Sequence, residues 1–261
     1  MDAVASDTAE ARRAWDYGAA AWDEFVESGA DYYRTEVHGP ALLAACGDVR
    51  GACILDVGCG QGFFSRRLAS SQARVVGIDF SEQQIGNARR HEDERPLGIA
   101  YHVMDAANIG DHWPAGAFDV VTACMSLQDM PDPRRVFEGA HRLLKREGRV
   151  VFSIPNPGVD TPFRKWDWNE RGEKAALKID RYFESGPRSC AWRMTRLVYQ
   201  WETPYWYRTL SEWTSLTAGA GFLIRRIDEP RPTSEQVQRN RDLDDCYRLP
   251  YFLVLELVKG W

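Results

Sequence analysis

Three closely spaced glycines follow an acidic residue at the end of a short apolar run, residues 54–62 (ILDVGCGQG). The pattern predicts a strand that ends in a tight turn before a helix. Glycines let a ligand approach the backbone closely, and the helix that follows offers free N–H groups to an anion. The third glycine comes one residue earlier than in the dinucleotide pattern G-x-G-x-x-G, where Phe63 now stands. Asp56 would repel a pyrophosphate, so the turn favours a ligand with a cationic amino-acid tail over NAD.

Two further carboxylates stand where later strands are predicted to end. Asp79 ends an apolar run at residues 74–79, and Asp105 follows another at residues 99–104. A carboxylate in the first position can accept both hydroxyls of a ribose, and one in the second can accept the amino group of adenine. Phe80 can supply an apolar face to the adenine ring. The ribose-binding acid is shared with NAD sites, so only its combination with the turn predicts S-adenosyl-L-methionine (SAM) as the ligand.

The elements that must position these residues alternate from about residue 52 onward. Strands are predicted at residues 52–57, 74–79, 99–104, 118–123 and 149–154, and helices at 61–71, 81–91 and 132–145. This order implies right-handed crossovers and a parallel sheet. A capping pattern at residues 209–212 (TLSE) then predicts a helix, and apolar strands follow at 222–227 and 251–258 with no marked helix between them.

The chain divides into four predicted parts. Residues 1–50 form an N-terminal helical cap, residues 51–155 the SAM-binding core, residues 156–205 an inserted lid on the substrate side, and residues 206–261 the C-terminal part of the core sheet. Six of the ten tryptophans lie between residues 166 and 213. Such rings can line an acceptor pocket, face a cationic amine, form a small core for the lid, or make a dimer surface.

The motifs ILDVGCGQG, VVGIDFS, VMDAAN and FDVVTACMSLQDMPD, in this order, resemble the class I, type-11-like SAM-dependent methyltransferases. The later segment WYRTLSEWTSLTAGAGF resembles the region after that family's fifth strand, so the resemblance covers residues 12–155 and 206–258. It implies an α/β fold, a Rossmann-like three-layer sandwich whose seven-stranded, mostly parallel sheet has an antiparallel last strand. The SAM contacts that it implies are Asp56, Gly58, Gly60, Asp79, Phe80, Asp105, Ala106, Cys124 and Met125.

The aromatic residues of the cap and insertion supply further predicted contacts. Relatives close such a cap over SAM with aromatic side chains, which suggests Tyr17 and Tyr33 as cofactor contacts. The predicted substrate contacts are Tyr32, Trp166, Trp206 and Tyr207.

Methyl transfer from a sulfonium needs an in-line approach, and proximity and exclusion of water supply much of the acceleration. A general base is needed only when the acceptor arrives protonated. The catalytic residue is therefore left unassigned, with His38 of the cap as the candidate base. Relatives often carry a histidine at the positions of Gln128 and Tyr207, and both departures argue against a base there.

The composition of the chain restricts the kinds of binding partner that we expect. A net charge of -5 argues against a nucleic acid or an anionic membrane as the main partner. No run approaches the roughly 20 apolar residues of a membrane helix, and the N-terminus lacks the apolar core of a signal peptide, so we expect a cytoplasmic protein. The six cysteines form no C-x-x-C pair, and no metal site is predicted. The oligomeric state stays open.

These observations predict a SAM-dependent methyltransferase that acts on an oxygen or nitrogen atom of a small molecule and releases S-adenosyl-L-homocysteine (SAH). One alternative is a methyltransferase of RNA or protein, which would carry a basic groove or an Asn/Asp-Pro-Pro-Tyr motif after the fourth strand. Residues 123–126 read ACMS instead. The other alternative is a non-catalytic module that binds SAM or NAD.

Overall fold

The computed structural model describes residues 2–193 and 199–260, with side chains from residue 7 onward. Within these residues the strands are β1 Cys53–Val57, β2 Arg74–Asp79, β3 Ala100–Val103, β4 Phe118–Cys124, β5 Leu144–Pro155, β6 Phe163–Trp168, β7 Lys174–Asp180, β8 Gly186–Trp192, β9 Trp201–Tyr207, β10 Phe222–Asp228 and β11 Phe252–Lys259.

The α-helices of the same residues are α1 Asp2–Glu27, α2 Gly39–Cys46, α3 Phe63–Ser70, α4 Glu82–Glu94, α5 Arg134–Leu143, α6 Leu210–Gly219, α7 Ser234–Arg239 and α8 Asp244–Arg248. A π-helical turn, Arg34–His38, leads into α2. Short 3-10 turns lie at Ala106–Asp111, Leu127–Asp129 and Arg241–Leu243.

Seven strands form the central sheet in the order β3-β2-β1-β4-β5-β11-β10. The first five are mutually parallel, whereas β11 runs antiparallel to both β5 and β10. Strands β1 and β4 are almost fully buried because helices cover both faces of the sheet, which is why their sequences are continuous apolar runs. The predicted Rossmann-like sheet with an antiparallel last strand is therefore confirmed.

Local signals explain several helix starts. The hydroxyl of Ser81 accepts a hydrogen bond from the backbone N–H of Gln84 at the start of α4. Thr209 and Glu212 cap α6 reciprocally. Helix α5 has Pro133 as its N-cap, and the carboxylate of Asp132 accepts the backbone N–H of Arg134 and pairs with its guanidinium.

The segment after β5 folds into two antiparallel hairpins, β6–β7 and β8–β9. The boundary predicted between residues 205 and 206 falls inside β9. Strand β9 contacts α1, so the second hairpin lies against the N-terminal helix. No α-helix of the described residues is long and apolar enough to cross a membrane.

Four indole rings join the second hairpin to α1, and we call Trp15, Trp22, Trp192 and Trp201 the tryptophan clamp. The rings of Trp192 and Trp201 stack with centroids 5.8 Å apart, and Trp22 meets Trp192 edge-on at 4.9 Å. The Trp201 ring lies directly against the backbone of Gly18 on α1, where a Cβ atom would come within 2.2 Å of it. The clamp therefore depends on a residue without a side chain.

Candidate active site

A cavity of about 1220 Å³ opens at the carboxyl ends of the parallel strands. Ligand pockets commonly measure about 300–1,000 Å³, so this cavity can hold two small molecules side by side. Its walls come from the glycine turn after β1, the ends of β2 and β4, helix α1, the π-helical turn, the Leu127–Asp129 turn and Trp192 of the clamp. Crossover topology brings the strand ends to this one edge of the sheet.

Two glycines of the turn after β1 differ in how closely other side chains approach them. Gly58 has a φ of +64°, and a Cβ atom there would lie 2.4 Å from the Cβ of Ser126. Gly60 has a φ of +55°, and the nearest atom to a Cβ there would be the side-chain oxygen of Gln84 at 3.7 Å. Packing thus requires the first glycine, and both glycines line the cavity.

Asp79 lines the cavity beside this turn. Its Oδ2 accepts the backbone N–H of Gly60 and its Oδ1 that of Ser81, both at 2.9 Å. Burial raises the pKa of Asp79 to about 6, although the two N–H donors oppose the rise. A carboxylate has about four lone-pair sites, so acceptor capacity remains for a ligand in the cavity.

The predicted adenine contacts also reach the cavity. Phe80, Asp105 and Ala106 line it together. The Oδ1 of Asp105 accepts the backbone N–H of Ala107 at 2.9 Å, which fixes the carboxylate at the start of the 3-10 turn. Among the described residues its second oxygen has no hydrogen-bond donor, so it is available to a donor such as an amino group.

Gln84 was not predicted, yet it provides a test of whether SAM fits. Its side chain is 2% exposed and lines the cavity. Within the described residues, neither its amide oxygen nor its amide nitrogen has a hydrogen-bond partner. Buried polar atoms without partners are costly, so a ligand that both donates and accepts is expected next to Gly60. The hydroxyls and amino-acid group of SAM have this chemistry.

Asp56 lies beneath the turn and does not line the cavity. It is fully buried, and its two oxygens accept the hydroxyls of Ser65 at 2.6 Å and Thr122 at 2.8 Å. Burial raises its pKa to about 6. The expected direct contact with an ammonium group is therefore corrected, because both oxygens instead join α3 to β4 below the glycines.

The cap places Tyr33, Arg34 and His38 on the cavity. The Nε of Arg34 bonds the Oδ2 of Asp31 at 2.8 Å, so this guanidinium already has a counter-ion. His38 is 3% exposed, and burial together with the charge of Arg34 lowers its pKa to about 3. The imidazole is therefore neutral at physiological pH. Cys124 and Met125 line the same wall.

Five predicted contacts lie away from the cavity. Tyr17 is 64% exposed and packs on Tyr199, because it faces outward from α1. Tyr32 packs beside Tyr33 in a cluster with Val37. The other three are corrected because their side chains pack within the protein and do not line the cavity. Trp166 of β6 lies beneath Lys174 and Arg248, and Trp206 and Tyr207 are buried in β9.

Sequence reasoning missed the cavity positions of Gln84, Arg34, Asp129 and Trp192. The position of Asp129 just after β4 was the available signal, since parallel strand ends share one edge. No local signal marks Trp192, because its place depends on how the second hairpin folds back over α1.

Comparisons with known proteins agree with this geometry. Residues 55–152 match a family model described as a methyltransferase domain. The chain is 40% identical over 106 residues to a ubiquinone biosynthesis O-methyltransferase of Pseudomonas paraeruginosa, a match over 41% of this chain and 45% of that protein. The corresponding protein of Methylococcus capsulatus is 42% identical over 115 residues, which are 44% of this chain and 48% of that protein. The chain thus spans about half the length of these curated relatives.

A solved structure extends the similarity beyond the core. An S-adenosylmethionine-dependent methyltransferase of Mesorhizobium loti aligns with a TM-score of 0.70 and 28% identity. The alignment covers 84% of this chain and 95% of that one. The likeness therefore extends beyond the matched domain of residues 55–152.

Proposed function

Because the chain carries a methyltransferase domain of the class I SAM-dependent family, we propose that it transfers a methyl group from SAM to an oxygen or nitrogen atom of a small molecule. The observation that carries the proposal is the continuity of the cavity. It runs without interruption from Asp79 and Asp105 at one side to Tyr33 and His38 at the other. A donor and an acceptor would therefore meet in one enclosed volume.

Different residues of the chain would bind different parts of SAM. Asp79 would accept the ribose hydroxyls, and Phe80, Asp105 and Ala106 would hold the adenine. Gly60 leaves room for SAM at the turn. The amide nitrogen and oxygen of Gln84, which have no partner among the described residues, would form hydrogen bonds with SAM there. When bound, SAM supplies a methyl group made electrophilic by the neighbouring sulfonium.

The remaining walls act mainly by positioning and by excluding water. The clamp and the π-helical turn cover the cavity, and an enclosed site strengthens electrostatic interactions while holding the reactants at close range. His38, neutral at physiological pH, can accept a hydrogen bond from an acceptor hydroxyl and so orient it. Its lowered pKa makes it a poor base before the methyl group moves.

An oxygen acceptor has support from the names of the similar curated proteins, which act in ubiquinone biosynthesis as O-methyltransferases. Those matches cover 41% and 44% of this chain, and the cavity also has walls in the cap and the insertion. A small molecule is favoured over RNA by the net charge of -5.

Calorimetry with SAH tests the proposal. We expect the wild-type protein to bind SAH and Asp79→Ala to lose about 100-fold or more in affinity, because a charged acceptor of two hydroxyls is removed. Asp48→Ala serves as the control, since Asp48 is exposed and pairs with Arg50 away from the cavity. Unchanged affinity in Asp79→Ala would contradict the assignment of the donor site.

A further inference from the structure

Two consecutive residues of the Leu127–Asp129 turn carry hydrogen-bond acceptors that have no partner among the described residues. Gln128 is 6% exposed, and its amide nitrogen donates to the backbone oxygen of Met125 at 2.7 Å. That bond fixes the amide, and the amide oxygen is left buried with no partner in the described residues. The carboxylate of Asp129 likewise forms no hydrogen bond or ion pair within that part of the chain. Both side chains line the cavity.

Asp129 differs in this respect from the other carboxylates on the cavity. Each of the others has a donor or cation of the chain against it: Asp31 with Arg34, Asp79 with Gly60 and Ser81, Asp105 with Ala107, and Asp132 with Arg134. Asp129 is partly buried, and a carboxylate shielded from water without a counter-ion or donor is costly. Burial and the charge of Asp79 accordingly raise the pKa of the Asp129 carboxyl well above its usual value.

Three guanidinium groups near the cavity already have acceptors of the chain. Arg208 donates to the backbone oxygens of Met130 and Pro131, each at 2.8 Å. Arg34 is held by Asp31, and Arg134 pairs with Glu138. The donors that would complete the Leu127–Asp129 turn are therefore to be expected from a ligand.

We infer that this turn recognises a protonated amine on the acceptor, so the methylated molecule belongs to the class of small organic amines. This inference rests on the proposed function. An ammonium group brings three N–H donors and a positive charge, and it can meet the amide oxygen of Gln128 and the carboxylate of Asp129 together. A neutral hydroxyl brings one donor and no charge, and would leave one acceptor unpaired. Trp22 and Trp192 line the same cavity and can pack on the apolar part of such a molecule.

The test compares two probes of nearly equal shape, 2-phenylethylamine and 2-phenylethanol, on the SAH-loaded protein by calorimetry. We expect the wild type to bind the amine about tenfold more tightly than the alcohol. In Asp129→Asn this preference should fall to within about twofold. Asp132→Asn is the matched control, a neighbouring cavity carboxylate that already has a partner, and it should keep the preference. Equal binding of both probes to the wild type, or a preference that persists in Asp129→Asn, would overturn the inference.

The SAH affinity of the same variants distinguishes a failure of this inference from a failure of the proposed function. If Asp129→Asn weakens SAH as much as the amine, the carboxylate serves the donor's own ammonium, and the inference is overturned. SAH binding without any amine preference overturns the inference alone, whereas no SAH binding by the wild type overturns the proposed function with it. Gln128→Leu provides a second variant, since removal of the amide oxygen should reduce the amine preference. An unchanged preference in that variant would also count against the inference.

Discussion

Two buried carboxylates at the glycine turn show how neighbours decide what a residue does. Asp56 and Asp79 end adjacent strands, and burial raises the pKa of each to about 6. Both carboxylate oxygens of Asp56 accept hydrogen bonds from the hydroxyls of Ser65 and Thr122. Asp79 accepts backbone N–H groups and still faces the cavity. The first holds the turn in place, and the second is placed to meet a ligand.

This contrast predicts a pH dependence for SAH binding. With a pKa of about 6, Asp79 is ionised at pH 7.5 and mostly protonated at pH 5. A ribose hydroxyl donates better to the ionised form, so the dissociation constant should rise about tenfold between these two pH values. Calorimetry at a series of pH values measures the effect.

Two asparagine variants test which of the two carboxylates causes this pH dependence of SAH binding. Asp79→Asn should bind weakly with a nearly flat profile over the same range. Asp56→Asn should keep the wild-type slope, because Asp56 lies outside the cavity. A slope that disappears in Asp56→Asn and persists in Asp79→Asn would contradict the prediction.

At the scale of elements, the contact between α1 and the second hairpin closes the cavity. Gly18 permits that contact, since a Cβ atom would meet the Trp201 ring at 2.2 Å. We expect Gly18→Ala to displace the ring, to cost about 1–3 kcal/mol of unfolding free energy, and to speed SAH release. Urea unfolding and stopped-flow displacement measure the two effects.

Gly86 offers a matched helical control. It lies in α4, and a Cβ atom there would meet nothing within 4 Å. Gly86→Ala should therefore raise the unfolding free energy by about 0.5–1 kcal/mol and leave SAH release unchanged. Equal destabilisation by both substitutions would show that the clamp does not depend on Gly18.

The elements that the sequence predicted and those it missed differ in burial. Strand β4 is an apolar run buried on both faces, and its end was predicted to within one residue. Strand β7 is exposed along most of its length and has no alternating pattern, so neither its strand nor its hairpin was predicted. Helices α7 and α8 are only six and five residues long, and such short helices carry too few turns to show periodicity.

The same distinction holds for the site. Asp79 and Asp105 could be predicted, because strand order alone brings the carboxyl ends of β2 and β3 to one edge. Tyr17 could not be placed from the sequence, since the rotation of α1 over that edge depends on contacts with a hairpin far along the chain. The aromatic cap contacts therefore stay the part of the site least accessible to sequence reasoning.

At the scale of the whole molecule, the cavity joins segments from almost the full length of the chain. Its lining runs from Thr8 on α1 to Phe252 on β11. A ligand held there contacts the cap, the core and the second hairpin at once. Binding should therefore stabilise these parts as a unit.

Hydrogen exchange with and without SAH tests that expectation. At 100 times its dissociation constant, SAH should stabilise the fold by about 2.7 kcal/mol. Exchange should slow most in α1 and in the β8–β9 hairpin. The β6–β7 hairpin contributes no residue to the described lining and should show the smaller change. Protection confined to β1–β5 would contradict a cap that closes on the ligand.

The tryptophan clamp also has an optical consequence. Its ring pairs have centroids between 4.9 and 6.4 Å apart, at fixed mutual angles. Indoles held this closely couple their electronic transitions, and rigid aromatic packing gives a near-ultraviolet circular dichroism signal that is lost when the packing loosens. Movement of the hairpin away from α1 would break the Trp15–Trp201 and Trp22–Trp192 couplings. The near-ultraviolet circular dichroism of the unmodified protein should therefore report whether the cavity is closed.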